Sequence, residues 1–166
     1  FSLRLRLHYK AARAAGVRQS MESKAKPLND EIKRAFYPWV ESKGFQKQKS
    51  NDPHFVEFRR VSSGGEDVFQ IQWDKYWRPC FVVNFSKERT EDPRWLKGGR
   101  LQRKRGGPMS CWFSLSKPLL HKLVSLRWSY DPQEVVQELQ QAFGELEKWW
   151  ENGEIGEHLY FIHLHA

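Results

Sequence analysis

DVFQIQWDKYWRPCFVVNF, residues 67–85, decides the fold. Phe69, Ile71 and Trp73 alternate with Gln70, Gln72 and Asp74. A strand turns successive side chains to opposite faces, so this spacing sets an apolar face against a polar one. Arg78-Pro79 breaks the run, because proline has no N–H to donate to a ladder. PCFVVNF then resumes the alternation, with Phe81, Val83 and Phe85 on one side and Cys80, Val82 and Asn84 on the other. Two such strands joined by a short link pair antiparallel.

Upstream, HFVEFRRV (54–61) reads as a partner strand, and SSGG (62–65) as the turn that joins it. Downstream, MSCWFSL (109–115) reads as a further strand, with Cys111, Phe113 and Leu115 opposite Trp112. PLNDEIKRAFYPWVESKGF (27–45) carries Leu28, Ile32, Ala35 or Phe36, and Trp39 or Val40 at helical spacings of three and four, and Gly44 suits a left-handed C-terminal cap. Pro38 predicts a kink or an early stop. DPQEVVQELQQAFGELEKWWENG (131–153) is the clearest helix: Asp131 is an N-cap, Pro132 suits the first turn, Glu134 completes a capping box and Gly153 ends it. Val135, Leu139, Ala142, Leu146, Trp149 and Trp150 form its apolar stripe. SKPLLHKLVS (116–125) reads as a short helix, and HLYFIHLHA (158–166) as a last strand or an irregular end. The expected class is α+β: an antiparallel meander of four to five strands, with an N-terminal and a long C-terminal helix on one face.

The chain has 166 residues, the length of one domain. Its net charge of +8 is local. Residues 1–20 hold five cations and no acid, and RWLKGGRLQRKR (94–105) holds six; without both, the rest carries −3. Residues 1–20 precede the first methionine, Met21, and are read as a basic extension outside the fold, with an organelle transit peptide or a genuine basic arm as alternatives. The domain proper is then 21–166. Two cysteines do not make a disulfide framework, so Cys80 and Cys111 read as reduced core residues of a cytoplasmic protein. No stretch approaches the roughly 20 apolar residues of a membrane helix.

No phosphate loop, dinucleotide fingerprint, HExxH or nucleophile elbow occurs. Cys80 alternates inside a strand without a histidine nearby, and His163 and His165 share a face without further ligands at a metal spacing. No catalytic residue, metal or cofactor is therefore expected, and the reading leans away from an enzyme. Two candidate surfaces remain. Gln70, Gln72, Asp74 and Asn84 form a polar shelf suited to an extended peptide or polar ligand, provided no helix covers it. Arg94, Trp95, Lys97, Arg100, Arg103, Lys104 and Arg105 form a basic, glycine-flanked segment for an acidic partner or nucleic acid; its glycines predict a mobile, solvated hairpin tip. A protein partner is the expected one, with nucleic acid the alternative.

Three features carry a family resemblance. A helix runs into Gly44, Phe45, Gln46 and Lys47; Phe58-Arg59 is followed by Gln70, Gln72 and then Phe81, Val83 and Asn84; and a basic connection, Arg100 to Trp112, precedes the helix from Asp131 to Trp150. Over residues 24–152 this order resembles a family of small bacterial proteins, the domain of unknown function numbered 4304. The resemblance implies no activity and brings no catalytic residue.

Overall fold

A computed structural model describes residues 24–92, 98–117 and 127–162. The class is α+β. Helix α1 occupies residues 24–42 and ends at Lys43 and Gly44, whose φ of +88° is the left-handed cap expected there. Its Leu28, Ile32, Phe36 and Val40 are fully buried at four-residue spacing. Pro38 neither stops nor breaks it. Residues Ile32–Phe36 instead open into a π-turn, in which Tyr37 N–H reaches back to Ile32 O, and the α-helix resumes over Tyr37–Ser42. A widened turn ahead of the proline relieves the clash that its ring makes with the preceding turn.

The sheet has seven strands: β1 (Gln46–Lys47), β2 (Phe55–Ser62), β3 (Gly65–Trp73), β4 (Cys80–Glu88), β5 (Gly99–Leu101), β6 (Phe113–Ser114) and β7 (Leu159–Phe161). All pairings are antiparallel, in the order β1-β2-β3-β4-β5-β7, with β6 beside β5 on the far edge of β4. Two or three strands exceed expectation, because β1, β5 and β7 are each too short to show a period. Ser62 pairs Gly65, so Ser63 and Gly64 make the tight β2–β3 turn. Residues 109–115 are not one strand: Met109–Cys111 form a 3-10 turn and only Phe113–Ser114 join the sheet. The helix foreseen over 116–125 falls mostly outside the described residues, and so do His163 and His165.

Helix α2 (Pro132–Asn152) begins with the expected capping box: Gln133 N–H donates to Asp131, and Asp131 N–H to Glu134. Its buried stripe, which also includes Val136 and Phe143, packs with α1 on the sheet face of Phe58, Phe69, Ile71, Phe81, Val83 and Phe85. Phe69 is the hub. It stacks on Phe58 at 5.0 Å and meets Phe45 at 5.0 Å, Phe143 at 5.1 Å and Phe36 at 6.2 Å edge-on. Each such pair contributes about 0.5–1.5 kcal/mol beyond its burial. This core runs from Ala25 to Phe161. No helix among the described residues is long and apolar enough to cross a membrane.

Candidate functional site: a polar layer on the second sheet face

With both helices on one face, the pairing register fixes what lies on the other. Glu57 faces Gln70, Gln70 faces Asn84, Asn84 faces Arg100, and Arg100 faces Tyr160, one row across five strands. The next row holds Phe55, Gln72 and Val82. Alternation past Arg100 and the core residue Leu101 puts Gln102 on this second face too. Cys80, Val82 and Trp112 form a small buried cluster there, and the Arg100 guanidinium lies 6.0 Å from the Trp112 ring.

This face is not the open wet shelf that the sequence suggested. Gln70, Gln72, Asn84 and Arg100 are half-buried, while Val68, Val82, Gln102 and Trp112 are buried. Three of the four shelf residues share the layer. Asp74 does not. It lies one residue beyond β3, only 1% exposed, and fastens the β3–β4 connection. Its carboxylate accepts from the N–H groups of Tyr76 (2.9 Å) and Arg78 (3.3 Å) and from Arg78 Nε (3.0 Å) and Nη2 (2.7 Å). The Arg78 guanidinium, with those backbone N–H groups, holds the Asp74 carboxyl below its ordinary range.

Among the described residues of the basic segment, Arg100 is not at a hairpin tip. Arg100 stands inside β5, between β4 and β7. The glycines before it are there for contact rather than mobility. A Cβ on Gly99 would sit 2.7 Å from Tyr160 O and 2.8 Å from Phe85 Cζ, and one on Gly98 would sit 2.8 Å from Phe85 O. Arg103 turns to the helix side, where Nε donates to Glu138 (2.7 Å), Nη1 to Ser114 O (2.9 Å), and the guanidinium covers Tyr130 at 4.3 Å. Lys104 and Arg105 are exposed. Arg94, Trp95 and Lys97 lie outside the described residues.

The hydrogen bonds of the layer have a direction. Arginine only donates, so Arg100 Nε (3.3 Å) fixes the oxygen of Asn84 toward itself. Asn84 Nδ2 therefore donates to Gln72 Oε1 at 2.9 Å and, at the 3.5 Å limit, to Gln70 Oε1. Both glutamine oxygens are thus turned inward and both glutamine NH2 groups outward. Among the described residues, neither NH2 group has a hydrogen-bond partner, nor has either terminal nitrogen of Arg100, and none of these atoms is sealed from solvent. Gln102 and Trp112 were not among the sequence candidates. The fully buried amide of Gln102 and the Trp112 indole N–H have no hydrogen-bond partner either.

Elsewhere among the described residues, several charges are paired. A recess of about 400 Å³ between α2 and β6 is lined by Arg103, Glu138, Glu145 and His158. There Arg103 pairs with Glu138, and His158 Nδ1 lies 2.7 Å from Glu145 with the exposed Glu157 nearby. Cys80 is free and buried, and burial pushes its thiol up to about 11, away from nucleophilic use at neutral pH. No protein-family model, curated protein or solved structure matches the chain.

Proposed function

We propose that the chain is a small, non-enzymatic interaction module that binds an extended segment of a protein partner through its second sheet face. One observation carries this reading. Arg100 is half-buried beside neutral amides and has no carboxylate partner among the described residues, while Arg59, Arg60, Arg78 and Arg103 each have one within 3.0 Å. A partly desolvated cation without a counter-charge is costly, and a bound partner would relieve that cost. Free cysteines support a cytoplasmic setting. Kinship with the bacterial family that the sequence resembles belongs to the same proposal and rests on the residues quoted for it above.

Random peptides displayed on phage, panned against the folded chain, test the reading. Selected peptides should lose binding to a Q72A/N84A variant and keep it to V61S, a change at an exposed strand end. Peptides indifferent to the double variant overturn it. Nucleic acid is the competing partner: tight, salt-steep binding of single-stranded oligonucleotides that K104E/R105E abolishes would replace the present reading.

A further inference from the structure

We infer that the group recognised by the second face is a carboxylate of the partner, held by the terminal nitrogens of Arg100 with the amide nitrogens of Gln70 and Gln72; this deepens the proposed function and rests on it. The orientation chain makes the layer one-sided. Arg100 can only donate, so Asn84 must accept from it and donate onward, and the two glutamines spend their oxygens on Asn84. What remains outward is N–H from three side chains and no accepting amide oxygen. Three side chains that offer only donors at one place select an acceptor-rich ligand, and the guanidinium without a carboxylate among the described residues makes that ligand an anion.

The charge count narrows the anion further. One guanidinium among neutral amides matches the single charge of a carboxylate. The carboxylate at the end of the same row, Glu57, is already bound by Arg59 at 2.6 Å. Because Nε of Arg100 is engaged by Asn84, its two terminal nitrogens remain as the fork that grips a carboxylate bidentately. Trp112, 6.0 Å away, gives that guanidinium an aromatic neighbour. The unpartnered Trp112 indole N–H and Gln102 amide on the same face add further polar capacity beside the site.

Side-chain ¹H–¹⁵N signals of Gln70, Gln72, Asn84, Arg100 Nε and the Trp112 indole would be followed while acetate, inorganic phosphate, N-acetylglutamate amide and N-acetylglutamine amide are titrated separately. Acetate and the glutamate compound should shift these signals saturably, with the glutamine compound and the R100Q variant weaker by about tenfold or more. Should R100Q fold poorly, N84D serves instead. It places a carboxylate beside Arg100 and fills the site from within, so added acetate should no longer bind while thermal stability is not reduced. Retained acetate binding in N84D counts against the inference. Phosphate saturating the same signals more tightly than acetate overturns the carboxylate assignment. No response to any anion, with selected peptides still binding this face, defeats the inference and leaves the proposed function standing. If such peptides are also indifferent to Q72A/N84A, both fall.

Discussion

Asp67→Asn is expected to be among the most damaging single changes in the protein. Asp67 is 1% exposed on the core face of β3, directly opposite Lys87 of β4. One carboxylate oxygen accepts from Lys87 Nζ (3.0 Å) and Ser62 Oγ (2.8 Å), and the other from Arg60 Nη2 (2.9 Å) and Nε (3.2 Å). The Lys87 side chain is itself only 3% exposed and also donates to Trp150 O near the end of α2. The amide keeps the shape but removes the negative charge between two cations, and turns an NH2 group toward donors. Breaking a buried pair in this way costs about 3–5 kcal/mol. At ~2–4 °C per kcal/mol for a domain of this size, Tm should fall by roughly 6–20 °C. Urea unfolding followed by tryptophan fluorescence should show a lower midpoint with an unchanged slope. A D67L/K87L double variant removes the buried pair and leaves Arg60, less buried and 3.9 Å from Glu147, so it should recover part of the loss. A D67N cost below about 1 kcal/mol, or a double variant worse than D67N, would refute the reasoning.

Gly99→Ala should destabilise by about 1–3 kcal/mol, because the added methyl meets Tyr160 O and the Phe85 ring; a change within about 0.5 kcal/mol would mean that β5 does not pack as described. Gly144 lies inside α2 with nothing within 4 Å of an added Cβ, so Gly144→Ala should stabilise by roughly 0.5–1 kcal/mol in the same urea assay, and a loss would contradict the open position. Alkaline stability should fall as well. Burial raises the Cys80 thiol to about 11 and the Tyr37 phenol to about 12, so the unfolded chain ionises first. Stability present below the ordinary thiol range is then lost as pH climbs toward those values. Urea midpoints taken across that range should decline less steeply for Cys80→Val; an identical decline would remove the thiol as a cause.

The long elements were legible in the sequence because their signals are repetitive. Phe69, Ile71 and Trp73 alternate, Leu28 and Ile32 begin a stripe at spacings of three and four, and Asp131 with Glu134 announces a cap; each recurs as expected, and burial picks Phe36 and Val40 over Ala35 and Trp39. Strand β5 was not legible. Its three residues include two that are unremarkable in a loop, and six nearby cations suggested solvent rather than a sheet interior. The adjoining glycines were misread for the same reason. A missing side chain signals close approach as readily as freedom, and only the neighbours Phe85 and Tyr160 decide between them. Asp74 was carried one residue too far along the alternation. Its place before Lys75 and Tyr76 is also where an aspartate fastens a turn, and local capping won. The polar layer was half legible: alternation supplied Gln70, Gln72 and Asn84, but Arg100 joins them only through a register no local pattern encodes.

Backbone hydrogen exchange at residues 99–101 tests the central claim most directly, since the polar layer exists only if this basic segment is an inner strand. Flanked by β4 and β7, its N–H groups should be protected nearly as well as those of β3 and β4. Exchange within the dead time, at the rate of a solvated loop, would contradict the account and leave Arg100 with no layer to complete.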